Sequence, residues 1–307
     1  MTTPTLQVTV PATLGPDQLY ATDVPETEYA DWVAGTTYAL AARVIKNHSV
    51  WESLAAGNLG NDPEAAGSVY WTRVSATNRW KAFELEQQTY TVQATSMYYE
   101  FDPAATLTAI HVLGIIGASS VRIRLTDPTA GVVYDTANQA VGRTITRSSW
   151  WEWGYGTRRL VNQLHFYDLP AGWPNARLRI DLAGGSTLGV QCIVAGVARS
   201  FGNGVQYGLR SGIDSYSKIS RDDWGTPTLR KGSYSKRLSF TLNMSWSDVD
   251  SVTDFFSESD ARVLLWNVSD AWRATKILGF LKSWDQLFSD YDTVDMSVEL
   301  EGMNINA

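Results

Sequence analysis

The sequence predicts a mainly β protein: a small all-β module, a central β-sandwich of the jelly-roll kind, and a C-terminal α+β unit with one helix on an antiparallel sheet. Three observations carry this. Apolar residues recur with period two in runs such as Val121-Arg-Ile-Arg-Leu125 and residues 238–244. Glycine and proline, 24 and 10 of 307 residues, punctuate the chain at short intervals, and helical periodicity is confined to the neighbourhood of residues 248–256.

Residues 1–28 alternate weakly at Leu6, Val8 and Val10 between Pro4, Pro11, Pro16 and Pro25, which predicts an extended arm lying on another surface. Residues 29–88 concentrate Tyr29, Trp32, Tyr38, Trp51, Trp71 and Trp80 among turn-forming glycines, the pattern of a small β domain whose core is partly aromatic. Residues 89–200 carry short strands at 107–112, 121–125, 132–134, 163–167, 177–182 and 190–197. The turn signals Asp127-Pro128, Pro170-Ala-Gly172 and Gly184-Gly185 lie between them, giving the sandwich. Residues 201–307 open with a glycine-rich link (Gly202, Gly204, Gly208, Gly212). An alternating strand follows at 238–244, and then a helix capped by Ser247 with Val249, Val252, Phe255 and Phe256 on one face. Strands at 263–266, 277–281 and 294–300 complete the unit.

Composition narrows the function. A formal net charge of −7 argues against a nucleic-acid partner. The single cysteine, Cys192, rules out an intramolecular disulfide, and the three separated histidines supply no zinc pattern, so neither metal nor cofactor is expected. The first ten residues carry no basic, apolar leader, and no stretch approaches a membrane span, predicting a soluble, non-secreted product without membrane insertion. Nucleotide-binding, α/β-hydrolase and zinc-protease motifs are missing from the sequence. Gly202-Asn-Gly204 lacks the third glycine of a phosphate loop, and the carboxylate pairs Glu100/Asp102, Asp222/Asp223 and Asp290/Asp292 read as solvated turn residues. No catalytic residue is assigned. His111 and His165 sit in strand-like sequence, where a structural, hydrogen-bonded role is expected.

What remains is aromatic loading: 13 Trp and 14 Tyr against 9 Phe. Trp and Tyr suit surfaces that are apolar on one side and wet on the other. Residues 150–159 gather Trp150, Trp151, Trp153, Tyr155, Arg158 and Arg159 in what reads as a loop or edge, the composition of an interface hot spot. Residues 199–237 hold eight Lys/Arg against three Asp, and Tyr234, Lys236 and Arg237 mark a second docking edge suited to an acidic neighbour.

Both ends of the chain resemble a known family. Val24-Pro25-Glu26-Thr-Glu-Tyr29-Ala-Asp-Trp32-Val-Ala-Gly35-Thr-Thr-Tyr38, then Trp51-Glu52-Ser53-Leu54 and Ala76-Thr77-Asn78-Arg79-Trp80, resemble the N-terminal module of tail-tip or baseplate proteins of long-tailed bacteriophages. That module is itself similar to chitin-binding-type carbohydrate-binding modules. Asp214-Ser-Tyr216-Ser-Lys218, Tyr234-Ser-Lys-Arg237-Leu-Ser-Phe240, Ile277-Leu-Gly279-Phe280 and Val298-Glu-Leu-Glu301-Gly302 resemble the end of the same virion proteins. The resemblance implies a non-enzymatic virion component, made in the host cytoplasm. Its partners would be tail tube, hub or fibre proteins, with copies arranged around the tail axis. It also offers an alternative, host-surface glycan binding through Trp32, Tyr38, Trp51 and Trp71. Two departures weigh against the alternative: Asn61-Asp62-Pro63 lacks the stacking ring expected before the proline, and Ala41 replaces a glycine near the first turn.

Overall fold

The computed structural model describes residues 5–85, 89–144, 149–155, 159–221, 224–269, 272–288 and 290–303. The protein is mainly β, with antiparallel sheets and the helix Val249–Glu258. The chain divides into two compact units: residues 1–12, 107–109 and 194–307 form one, residues 13–106 and 110–193 the other.

In the first unit the strand Leu6–Pro11 lies between Cys192–Phe201 and Leu264–Asn267, with Val10 opposite Val197 and Val8 opposite Trp266. The sheet continues through Lys276–Leu287 and Thr293–Gly302 to Tyr234–Ser245. Alternation sends Leu238, Phe240, Leu242 and Met244, with Val294, Met296, Val298 and Leu300 from the neighbouring strand, into one core. The helix covers that face with Val252, Phe255 and Phe256, the stripe its periodicity predicts. Its start differs from expectation. A 3₁₀ turn, Trp246–Asp248, precedes it, so Asp248 takes the N-cap position with no side-chain cap, and the Ser247 hydroxyl donates to Asp248 Oδ1 (3.2 Å). The glycine-rich segment after Phe201 joins the sheet: Gly204–Val205 and Arg210–Ser215 both pair with Tyr234–Ser245.

The second unit holds the strands Ser96–Phe101, Ile116–Asp127, Gly131–Asp135 and Arg177–Val190 in one antiparallel sheet, edged by Leu19–Thr22. Ile123, Leu125, Leu178, Ile180, Leu182, Tyr99 and Phe101 point inward and are buried. The opposite face is charged and internally paired. Arg122 forks onto Asp135, Arg124 reaches Asp181 (2.7 Å), and Arg177 binds Asp102 (2.7 Å) beneath the Tyr20 ring. The Arg122 guanidinium holds the Asp135 carboxyl down at about 2. Cys192 is buried, and desolvation pushes its thiol up to about 12, an inert structural cysteine.

Residues 29–83 belong to this second unit and form a three-stranded sheet, Arg43–Lys46, Ser49–Ser53 and Trp71–Ala76, beside the short ladder of Thr37–Tyr38 with Asn58–Leu59. Ala41 has φ +63°. That left-handed conformation is strained for a residue with a Cβ. Ala41→Gly is therefore expected to raise stability by about 0.5–1 kcal/mol after allowing for the entropy glycine adds to the unfolded chain. Urea denaturation checks it, and a loss of stability refutes the strain.

Candidate functional site

The rings of the N-terminal module serve mostly as framework. Trp71 is 3% exposed and donates its Nε1–H to the Asn61 carbonyl (2.9 Å). Tyr38 packs edge-on against it, centroids 5.2 Å apart at 71°, and its hydroxyl accepts from the Val33 amide (2.7 Å). The half-buried Trp32 carries the Lys46 ammonium over its ring at 4.4 Å, and the half-buried Trp51 donates to the Lys46 carbonyl (3.3 Å). Lys46 in turn binds Asp62 (2.5 Å), and this contact holds the Asp62 carboxyl below the usual carboxylate range. The Asn61-Asp62-Pro63 loop is thus spent on internal contacts. Tyr38 and Trp71 present no common plane, one ring face of Trp32 is taken, and Trp71 is closed to a ligand.

A clamp absent from the sequence reading seats this module. Glu26 accepts hydrogen bonds from the Thr77 hydroxyl and from Arg79 Nη1 (2.9 Å), and its carboxylate meets His48 Nδ1 (2.8 Å). Arg79 also donates to the Val24 carbonyl (2.8 Å), and the Asn78 amide donates to Glu28. Trp80, Phe83, Tyr99 and Phe101 then form a chain of edge-to-face and stacked rings between the module and the Ser96–Phe101 strand. Glu26 lies 22 residues from His48 and some fifty from Thr77 and Arg79, where no local pattern points.

The segment expected as a Trp-Arg loop is instead a short helix, Trp150–Tyr155. Trp150, Trp151 and Tyr155 stand 82%, 71% and 73% exposed. Positions i and i+4 bring the Trp151 and Tyr155 rings to 4.5 Å, so they form one apolar surface in solvent. Arg158 and the side chains of Trp153 and Arg159 lie outside the described residues, as do Asp222 and Asp223.

The second predicted docking edge maps onto the Tyr234–Ser245 strand. Tyr234 is half-buried opposite Ser215, and Arg237 is exposed beside Asp214 (3.3 Å). Lys236 is half-buried, and desolvation, aided by Arg273, lowers its ammonium pKa. On the solvent face of the same sheet, Ser239, Thr241, Ser283 and Ser297 line a shallow concavity of about 290 Å³ with Asp285 and Glu299.

Two further sets of titratable side chains find partners within the fold. His111 faces His165 across the ladder of Ala109–Leu113 with Gln163–Phe166, Nδ1 to Nδ1 3.2 Å, under the Tyr167 ring. Strand register over 54 residues creates this contact, which spacing along the chain does not announce. Glu100 and Asp102 both bind Arg177. Among the described residues no three His, Cys, Asp or Glu side chains converge on a metal position, and no helix is long and apolar enough to cross a membrane.

Comparison with protein-family models, curated proteins and solved structures yields no match.

Proposed function

We propose that the protein is a non-enzymatic structural component of a bacteriophage tail tip or baseplate, joining the tail to peripheral baseplate or fibre proteins through protein–protein interfaces. The observation that carries this reading is the display of large rings in solvent on regular β and helical elements, foremost Trp150, Trp151 and Tyr155. Rings of this kind, once buried, supply most of the free energy of protein interfaces, whereas leaving them in water gains a folded monomer nothing. The resemblance at residues 24–83 and 214–302 supplies the tail context. Function here is geometric: rigid sheets hold apolar patches at fixed positions for neighbouring proteins to cover.

Immunogold labelling of purified virions tests the placement. Label at the tail tip is expected; label on capsids, or on no particle, overturns it. The patch itself is tested by Trp150→Ser, Trp151→Ser and Tyr155→Ser together. Three surface substitutions together shift the melting temperature by no more than roughly 5 °C, while incorporation into particles falls at least about tenfold. Incorporation at the wild-type level would exclude this helix as a contact.

A further inference from the structure

The strands Lys218–Arg221 and Pro227–Arg230 pair with each other, and every residue in both is exposed. They prolong the hairpin made by Arg210–Ser215 and Tyr234–Ser245 beyond the sheet, because the next strand, Thr293–Gly302, reaches only as far as Arg237. An isolated two-stranded ribbon is marginal in water. This one also holds Ile219 and Leu229 opposite each other in solvent. Residues 218–231 carry four cations, Lys218, Arg221, Arg230 and Lys231, against two acids, Asp222 and Asp223, and the four cations make no ion pair among the described residues.

The other end of the Tyr234–Ser245 strand is the chemical complement. Trp246 packs edge-on against Phe288 (5.7 Å), and both remain half in solvent beside exposed Leu287 and Tyr291. Residues 245–258 and 285–295, which build this end, contain eight Asp or Glu and no Lys or Arg. Twelve strand residues, about 40 Å at the usual rise, separate the arm from the aromatic patch, and the arm points away from it. No chain can seat its own arm, yet each chain carries both halves of the contact.

We propose that the protein self-associates head to tail, the arm of one copy laying Ile219, Leu229 and its four cations on the Trp246–Phe288–Tyr291 end of the next. Such a heterologous contact closes into a ring or runs on as a filament, depending on the rotation per copy. In choosing a second copy as partner, the inference rests on the assembly role proposed above.

Sedimentation velocity on the full chain tests it. At about 0.05 M salt the protein is expected to associate with rising concentration, and at about 0.5 M to dissociate as the charges are screened. The pair Lys218→Glu with Arg230→Glu, and the pair Asp290→Lys with Asp292→Lys, each abolish association. An equimolar mixture of the two variants regains it, because each now carries the complement of the other. Trp246→Ser weakens association about tenfold. A wild-type protein that stays monomeric overturns the proposal, as does an arm-reversed variant that associates like wild type, or a mixture that stays monomeric. Tail-tip labelling with a monomeric protein would remove the head-to-tail contact and leave the assembly role standing; association without labelling would do the reverse.

Discussion

Trp266→Ala is expected to cost the unit of residues 1–12, 107–109 and 194–307 about 3–5 kcal/mol, the range for truncating a large buried aromatic. Trp266 is fully buried, on a central strand whose neighbours are Leu6–Pro11 on one side and Lys276–Leu287 on the other. Its ring meets Phe256 of the covering helix at 5.6 Å, and its Nε1–H donates to the Gly279 carbonyl (3.3 Å). Alanine would leave a cavity between helix and sheet and remove a donor from a buried carbonyl. Neither side can collapse easily, because the strand is held by ladders along both edges. For a unit of this size the loss corresponds to a fall of roughly 10–20 °C in its melting temperature. Trp266→Phe keeps most of the volume and is expected to lose less than half as much. Calorimetry decides: an alanine variant within about 1 kcal/mol of wild type would show that Trp266 does not organise this core.

Much of this architecture is written locally. The alternation at 238–244 and 294–300 identifies two central strands because one face of each is fully apolar, and the single 3.6-residue stripe identifies the helix that covers them. Pairing is another matter. Leu6, Val8 and Val10 alternate too weakly to announce a strand, since Val10 is only half-buried, and their partners lie some 190 and 260 residues away. The sequence reads residues 1–28 as an arm for that reason, whereas Leu6–Pro11 is a strand inside the sheet. The segment after Phe201 reads as a link because glycine disfavours strands. Yet Gly202 sits at φ +70° with the Asn243 carbonyl 2.6 Å from where a Cβ would stand, so the turn into the sheet requires it. At the surface, composition marks the aromatic excess but not its exposure. Trp71 and Trp150 look alike in sequence, while one is sealed beneath Tyr38 and the other stands in water. Charge alternation hides partners in the same way: Glu26 looks like one more acid in a proline-bearing segment until folding brings His48, Thr77 and Arg79 to it.

Gly117→Ala is expected to be the most damaging single-methyl change in the second unit, at more than about 3 kcal/mol. Two costs combine. Gly117 has φ +65°, which charges an L-residue about 1–2 kcal/mol by itself. A Cβ there would also stand 1.9 Å from the Thr187 carbonyl oxygen, a backbone atom with no rotamer through which to escape. The neighbouring strand is equally constrained, since a Cβ on Gly184 would meet the Gly117 carbonyl at 2.2 Å. This close crossing accompanies the register shifts between Ile116 and Ser120, where the long strand bends against Arg177–Val190. Gly131 separates the two costs. It too has positive φ, +79°, but nothing lies within 4 Å of its would-be Cβ. Gly131→Ala therefore pays the conformational cost alone, about 1 kcal/mol. Urea denaturation of the two variants should differ by at least about 2 kcal/mol. Equal losses would mean that the crossing relaxes freely and that the bend is set by side-chain packing, not by the approach of the two backbones.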